Sequence, residues 1–335
     1  MKTFKIAVVG CGGVSDMHFK AYKAHAERVD IVAVCDLDQQ RLQHAQAKHG
    51  FAAAFPSLQE MIEQADWEVA VVCTPTSVRE SVVESLAAAG KHVFVEKPMA
   101  DSYAEAQRMV AACAQAGVQL AVDQNFRYHY PFNVAKQVTA SGDLGQPLSV
   151  LHQDLHFRQD SGWRTQCQRH ALSVMGVHWF DGFRWMLDCE AKSLVCHTHS
   201  SAAIECVGET EAGVHIVFDN EVMISYTQSF SSSVARTETL IIGEAGTLIL
   251  DYSKSVLFNH GNRQTPAAQW ANPYSGERKP ESVFECLNQM LTALEQGQEP
   301  ANSGRDNLNS IALLDAAYTS AAEQRAISFS AGVPQ

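Results

Sequence analysis

The N-terminal segment places a short apolar strand directly before a glycine-rich turn and a helix. Residues 4–9 are compact, apolar and rich in β-formers, and Gly-Cys-Gly-Gly-Val-Ser follows at residues 10–15. A helical pattern begins after this turn. Glycines permit a tight turn and a close backbone approach to a pyrophosphate, whose charge a helix N-terminus stabilises. The order predicts a dinucleotide-binding unit, although a glycine turn before a helix can also be purely structural.

Further apolar strands alternate with helical patterns as far as residue 123. These strands are Ile31–Cys35, Glu68–Cys73, Val93–Val95 and Gln119–Val122. The alternation predicts a doubly wound parallel sheet. From residue 124 the pattern changes, with β-rich runs over 193–250, a polar stretch at 253–280 that reads as a long loop, and helices before and after. We therefore predict an NAD-binding Rossmann domain at 1–123 and a C-terminal α+β domain for substrate binding and oligomerisation at 124–335, with a largely antiparallel open sheet.

Asp36 ends the second strand, roughly 20 residues after the glycine turn, as the dinucleotide fingerprint requires. A carboxylate there accepts hydrogen bonds from the adenosine ribose hydroxyls and repels a 2′-phosphate. The spacing therefore favours NAD over NADP. The alternative is that Asp36 only caps the helix that begins near Asp38.

The strand at residues 93–95 ends in Glu96, Lys97 and Pro98. Pro98 cannot donate a ladder hydrogen bond, so these charges lie at the carboxyl end of a strand, where open α/β sheets bind ligands. Free lysine has a pKa near ~10.4, and burial beside a positive nicotinamide ring would lower it toward the ~7–8 that suits proton transfer. We predict that Lys97 transfers the proton and that Glu96, on the opposite face, points away. The alternative is a solvated lysine at a strand end.

Composition excludes several classes of function. The formal net charge of −12 argues against binding to nucleic-acid phosphates. No apolar run approaches the ~20 residues of a membrane span. The nine cysteines include no Cys-x-x-Cys pair, which argues against zinc and favours a reducing, cytoplasmic location. His152, Asp154 and His156 share a strand face, but no further ligand is spaced to complete a site, so we predict no metal.

Several further motifs lie between and beyond these strands. They are Thr74-Pro75, Gly90-Lys91-His92-Val93, Asn125-Phe126-Arg127-Tyr128, Ser141-Gly142-Asp143-Leu144-Gly145 and Gly176-Val177-His178 with Asp181. With the glycine turn and Glu96-Lys97-Pro98, they make the chain resemble the glucose–fructose oxidoreductase / inositol dehydrogenase family of NAD(P)-dependent oxidoreductases over nearly its whole length. The resemblance implies a Rossmann domain, a C-terminal domain whose sheet often forms dimer contacts, and hydride transfer between a sugar or polyol carbon and nicotinamide.

The resemblance also implies roles for individual residues. Lys97 and His178 would flank the reacting C–O group, although His178 could instead be a core or capping histidine. Predicted cofactor contacts are Gly10, Gly12, Gly13, Val14, Asp36, Thr74, Pro75, Glu96, Lys97 and Asn125. Predicted substrate contacts are Arg127, Tyr128, Trp163, Arg164 and Asp181. Arg164 would suit an anionic substrate such as a sugar acid, or it could be a surface arginine.

Two positions depart from the family pattern. Val174 stands where the family commonly has Asp, one helical turn before His178, and Arg79 stands where it often has His. Asp181 shares a helical face with His178 and could replace the missing carboxylate.

We predict an NAD-dependent dehydrogenase of a sugar, polyol or sugar acid that forms a homodimer or homotetramer through the C-terminal sheet. One alternative is a redox-neutral sugar lyase or glycosidase that uses the same cofactor. Another is a ligand-sensing protein that has lost catalysis, which Val174 supports weakly and the presence of Lys97 and His178 disfavours.

Overall fold

The computed structural model describes residues 2–273, 279–330 and 332–335. The chain divides into two compact units, Met1–Asn125 with Gly276–Ile311, and Phe126–Ser275 with Ala312–Gln335. The predicted domains, 1–123 and 124–335, stay a prediction, and the compact units join residues 276–311 to the N-terminal part.

The helices and strands follow in chain order. The strands are β1 Phe4–Val9, β2 Val29–Cys35, β3 Ala54–Phe55, β4 Val69–Val72, β5 His92–Val95, β6 Leu120–Val122, β7 Pro147–Phe157, β8 Ala191–His199, β9 Glu211–Phe218, β10 Met223–Ser229, β11 Ser231–Gly243, β12 Gly246–Leu250, β13 Lys254–Asn259, β14 Ala268–Ala271, β15 Ile327–Ser330 and β16 Val333–Pro334. The α-helices are α1 Ser15–Lys23, α2 Gln39–His49, α3 Leu58–Gln64, α4 Thr76–Ala88, α5 Tyr103–Gln115, α6 Tyr130–Ser141, α7 Val177–Leu187, α8 Lys279–Gln296 and α9 Gly304–Glu323. None of the helices in the described ranges is long and apolar enough to cross a membrane.

The first unit contains a six-stranded parallel sheet in the order β3-β2-β1-β4-β5-β6. The central strands are apolar along their length and are buried on both faces, as parallel strands covered by helices are. The strand order reverses between β1 and β4, and in such sheets ligands bind outside the carboxyl ends of these two strands. The glycine turn follows β1, and Thr74-Pro75 follows β4. The predicted doubly wound sheet is confirmed.

The second unit contains a ten-stranded sheet in the order β14-β13-β12-β11-β7-β10-β9-β8-β15-β16. Only β7 and β10 pair in parallel among these neighbours, so the predicted largely antiparallel sheet is confirmed. Aromatic side chains of α6 and α7 belong to the core of this unit. Gly182 of α7 has no room for a side chain, because an added Cβ would lie 2.0 Å from the Phe132 ring.

One sequence-based expectation is wrong. Residues 253–280 were expected to form a long loop, but β13 and β14 lie there and pair with each other. Ser255 and Leu257 are buried. The apolar run at residues 256–258 is only three residues long within a polar stretch, so the strand signal is weak. Residues 274–278 lie outside the described residues.

Arg28, directly before β2, binds α8 within the first unit. Its guanidinium donates to both carboxylate oxygens of Glu295, at 2.7 and 2.9 Å, and to the Lys2 carbonyl at 2.7 Å. The side chain of Arg28 is buried, so a bidentate partner is needed to satisfy its charge. The hydrogen bond from Arg28 lowers the pKa of Glu295 to about 2.

Replacement of this carboxylate should give a pH-dependent loss of stability. A lowered pKa in the folded state stabilises the fold above the unfolded pKa of about 4.3, and that stabilisation is lost as the pH falls toward the folded value. Glu295→Gln should therefore lower the melting temperature most near pH 7 and progressively less below about pH 4. Scanning calorimetry measures this, with the exposed Glu285→Gln on the same helix as control. A deficit that is equal at all pH values would contradict the assignment.

Candidate active site

The glycine turn follows β1 and packs against the residues after β4. Gly10 has φ +98, and an added Cβ would lie 2.9 Å from the carbonyl carbon of Cys73. Both features exclude a side chain at this position. At Gly12 an added Cβ would meet only Arg41, at 3.8 Å, and at Gly13 nothing lies within 4 Å. The first glycine thus serves the fold, and the other two leave the backbone open to a bound group.

The N-terminus of α1 has no side-chain cap, a feature that it shares with α4 but not with α2, α3 or α5. Asp38, Ser57 and Ser102 accept backbone N–H bonds at the starts of α2, α3 and α5, whereas Val14 accepts none at α1. The first N–H groups of a helix need partners, and an anion is a suitable one. The open turn and this uncapped helix together fit the pyrophosphate of NAD, with Gly12, Gly13 and Val14 as the residues that would hold it.

Asp36 organises the same edge. Its Oδ2 accepts the Cys11 N–H at 2.7 Å and its Oδ1 accepts the Asp38 N–H at 2.8 Å. Asp38, not Asp36, caps α2 by accepting the N–H groups of Gln40 and Arg41. The helix-cap alternative for Asp36 is therefore wrong. Its contact with a ribose stays a prediction.

Glu96 contacts a buried histidine of α1. Its side chain is buried, with Oε1 2.7 Å from His18 Nε2, and its Oε2 accepts the Lys97 backbone N–H at 3.1 Å. Burial alone would raise the pKa of Glu96, but the His18 hydrogen bond and the charges of His18, Lys97 and Arg79 outweigh it and lower the pKa. β5 ends at Val95, so Glu96 belongs to the following turn. That Glu96 points away from the Lys97 side chain stays a prediction.

Arg79 links the two loops at this edge. Its buried guanidinium donates to the carbonyls of Glu96, at 2.6 Å, of Pro98 and of Thr74. Burial lowers the pKa of Arg79, which the Glu96 charge opposes. Thr74-Pro75 and the Glu96–Pro98 turn are therefore fixed to each other by an arginine at a position where the family often has histidine. Asn125, predicted to contact the cofactor, donates to the Ser282 hydroxyl at 3.3 Å.

In the second unit, His178 lies near the start of α7 and is buried. Its ring stacks on Phe126 with centroids 3.8 Å apart and planes 6° apart. A short π-helix, Leu172–Gly176, precedes α7 and contains Val174.

Two predicted substrate residues bind each other. Arg127 donates to both carboxylate oxygens of Asp181, at 2.7 and 2.6 Å, and both side chains are buried. The hypothesis that Asp181 replaces the missing carboxylate is weakened, because its oxygens already accept from Arg127. Arg184 lies 3.7 Å from the same carboxylate and pairs with Glu190 at 2.6 Å.

The other predicted substrate residues lie on 3₁₀ turns. Tyr128 ends the turn Asn125–Tyr128, and Trp163 and Arg164 lie in the turn Gly162–Gln166. Trp163 is exposed, and the Arg164 guanidinium lies 4.9 Å from the centre of its ring. This stacked pair is accessible to a ligand, and its role in substrate binding stays a prediction.

Glu209 is a residue of this unit that the sequence did not reveal. It accepts the backbone N–H groups of His170, at 2.9 Å, and Leu172, at 2.8 Å, and the Tyr318 hydroxyl donates to it at 2.7 Å. It therefore caps the π-helix that leads into α7 and His178. No local signal could reveal it, because Glu209 lies 37 residues from Leu172 and 109 from Tyr318.

The polar face of β7 is internal. Asp154 accepts from the Trp179 indole N–H at 3.1 Å and the Thr237 hydroxyl at 3.0 Å. Burial lowers the pKa of His152 to about 3, and its Nδ1 lies 2.8 Å from the Thr239 hydroxyl. These groups hold Trp179 of α7 in place.

Comparison with known proteins identifies the family. Residues 4–124 match the oxidoreductase family with an NAD-binding Rossmann fold, and residues 132–249 match the GFO/IDH/MocA C-terminal domain. The chain belongs to the GFO/IDH/MocA oxidoreductase family. The predicted fold, NAD cofactor and oxidoreductase class are thereby confirmed.

Relatives of this GFO/IDH/MocA protein are similar along the whole chain. A D-apiose dehydrogenase of Paraburkholderia graminis is 30% identical over 98% of this chain and 90% of its own. A myo-inositol 2-dehydrogenase of Thermotoga maritima is 24% identical over 96% of this chain and 98% of its own. An Agrobacterium radiobacter oxidoreductase, solved with NAD+, L-tartaric acid and magnesium, shares the fold with TM-score 0.87, 24% identity and 98% coverage of both chains.

The Asp36 carboxylate should govern the choice between NAD and NADP. Asp36→Ala removes the repulsion of a 2′-phosphate and two hydrogen bonds that order the turn, so it should raise the Kd for NADH about tenfold or more and reduce the preference over NADPH. Fluorescence titration with both cofactors measures this, with Asp38→Ala as the control that removes the α2 cap and the ion pair with Arg41 but keeps Asp36. Equal binding of NADPH by the parent protein would refute the assignment.

Proposed function

We propose that Lys97 accepts the hydroxyl proton when this NAD-dependent oxidoreductase oxidises a sugar, polyol or sugar acid. The observation that carries the proposal is the position of Lys97 at the end of β5, in a turn held by Arg79 and Glu96. β5 is next to β4 and two strands from β1, so Lys97 lies at the same edge of the sheet as the glycine turn. Relatives named as dehydrogenases of D-apiose and myo-inositol support a carbohydrate substrate.

The residues of the chain divide the chemistry among them. NAD, when bound, supplies the acceptor for the hydride that leaves the carbinol carbon. Gly12, Gly13 and Val14 present backbone N–H groups to its pyrophosphate, and Asp36 accepts from its ribose. Lys97 takes the hydroxyl proton as a general base and returns it in the reverse reaction. His178 is proposed as the second group, which holds the substrate oxygen or shares its proton.

Substrate selection is proposed to involve exposed groups rather than the buried Arg127–Asp181 pair. Arg164 and Trp163 offer a cation and an aromatic face, which suit a carboxylate and the apolar face of a sugar ring. Tyr128 remains a third candidate. Arg127 and Asp181 would then act by fixing the backbone between the turn Asn125–Tyr128 and α7.

Turnover of Lys97→Ala tests the proposed function. D-apiose, myo-inositol and aldonic acids with NAD form the substrate panel, read by NADH absorbance. Loss of the base should lower kcat about 10²–10⁴-fold while NADH still binds. Lys192→Ala, an exposed lysine in the second unit, is the matched control.

Two outcomes would overturn this reading. Near-normal turnover of Lys97→Ala would remove Lys97 from the chemistry. Conversion of substrate by the parent protein without accumulation of NADH would favour the redox-neutral alternative.

The outer face of the large sheet supports a proposed homodimer or homotetramer. Leu151 on β7 is 43% exposed and Met223 on the paired strand β10 is 59% exposed. The register places them on one face, since Leu151 pairs with Ser225 and Ser149 pairs with Met223. Adjacent exposed apolar groups on a sheet favour association.

A cytoplasmic location is also proposed, because all nine cysteines lie in described segments and are free thiols.

Charges on this face should dissociate the assembly. Leu151→Glu combined with Met223→Glu would bury unpaired carboxylates, so light scattering after gel filtration should give the mass of a smaller species. Val207→Glu, at an exposed valine outside the strands, should leave the mass unchanged. A monomeric parent protein would contradict the proposal.

A further inference from the structure

A buried cluster of His18, Glu96 and Asp123 interacts electrostatically with Lys97, which follows Glu96 in the chain. His18 Nε2 is 2.7 Å from Glu96 Oε1 and 3.7 Å from Asp123 Oδ2. All three side chains are almost wholly buried, and they come from α1 and from the ends of β5 and β6. The shorter distance is that of a hydrogen bond, so His18 and Glu96 are hydrogen-bonded to each other.

His18 is hydrogen-bonded through both of its ring nitrogens. The Tyr22 hydroxyl lies 2.8 Å from Nδ1 of His18. Nε2 donates its hydrogen to Glu96 Oε1 at 2.7 Å, because an ionised carboxylate can only accept. The ring is therefore fixed between Tyr22 of α1 and the turn after β5.

The two carboxyl groups differ in charge. Glu96 accepts hydrogen bonds at both oxygens, from His18 and from the Lys97 backbone, as an ionised carboxylate does. Oδ1 of Asp123 has no hydrogen-bond partner among the described residues, although it is buried. Burial and the adjacent Glu96 charge raise the pKa of Asp123 well above its usual value. Asp123 is therefore a neutral acid, first because of its burial, which persists without Glu96, and second because of the adjacent Glu96 charge.

The ionisable groups that face this cluster come from every element packed around it. They are Tyr22 of α1, Cys73 after β4, Arg79 of α4, Lys97 after β5 and Cys286 of α8. Burial raises the pKa of Cys73 well above its usual value, so this thiol is uncharged at neutral pH. The cations are Arg79, which binds three carbonyls, and Lys97.

We propose that Glu96 is a positioning residue that sets the proton affinity of Lys97, with Asp123 beside it as a neutral acid so that the two carboxyl groups together hold one negative charge. This inference rests on the proposed role of Lys97. The charge interaction is mutual: the Lys97 ammonium favours the ionised form of Glu96, so Glu96 equally favours the ammonium form of Lys97. A second charge on Asp123 would hold the proton too tightly for Lys97 to act as a base.

The proposal predicts opposite results for two isosteric variants. Glu96→Gln removes the negative charge, so Lys97 loses its proton at lower pH, and the rise of kcat/KM for oxidation should move to lower pH by about one unit. Asp123→Asn keeps a neutral group of the same shape, so its profile should stay within about 0.3 pH units of the parent. The profiles are measured with the substrate found in the panel above, and NADH binding is measured in parallel.

A second measurement does not depend on turnover. Infrared spectra of the protein at neutral pH should contain the carbonyl stretch of a neutral carboxylic acid, and this band should be absent in Asp123→Asn and present in Glu96→Gln. This band reports on the cluster even if Lys97→Ala proves active, so failure of the proposed function is distinguishable from failure of the cluster assignment.

Three results would overturn the inference. An equal shift of the pH profile in both variants would mean that Asp123 is ionised. An unshifted profile in Glu96→Gln, with the protein folded and NADH bound, would mean that Glu96 does not act on Lys97. One tightly bound metal ion per chain, lost in Asp123→Asn, would make the cluster a cation site instead.

Discussion

The ligand-binding edge of the parallel sheet depends on buried charges that are satisfied by backbone groups. Arg79 donates to the carbonyls of Thr74, Glu96 and Pro98, and Glu96 accepts from the Lys97 N–H. Removing one partner from such an arrangement leaves an uncompensated buried charge, which typically costs about 3–5 kcal/mol. The loops after β4 and β5 are therefore fixed to each other. The backbone that carries Lys97 is held rigidly, as the proposed proton transfer requires.

Buried charged side chains also bind N–H donors in the second unit. Glu209 accepts two backbone N–H groups at the π-helical turn before α7, and Asp154 accepts from the indole of Trp179 on that helix. Each buried carboxylate satisfies donors that would otherwise be unpaired in the core. The position of His178 thus depends on β7, on the segment before β9 and on α9, none of which is near it in sequence.

The proposed cofactor contacts and the proposed substrate contacts are of different kinds. The glycine turn, the uncapped start of α1 and Asp36 offer mainly backbone groups and one carboxylate, which many sequences can supply. This explains how relatives with 24–30% sequence identity to this chain keep a common fold although they are named for different substrates. The exposed Trp163 and the half-buried Arg164 would contact a substrate only through their side chains, so such positions can change without disturbing the fold.

The sequence by itself determined the parallel sheet, the glycine turn, the spacing of Asp36 and the strand end at Pro98. Each of these features depends on residues that are close together in the sequence, where steric rules and periodicity apply directly. Only the tertiary structure decided that Glu96 lies against His18, that Arg127 binds Asp181, that Glu209 caps the turn before α7 and that residues 276–311 join the first unit. These contacts join residues 37 to 78 positions apart, and the first unit joins segments still farther apart. Local propensity carries no information about such pairs, because they form only where packing brings a buried polar group to the donor or acceptor that it requires.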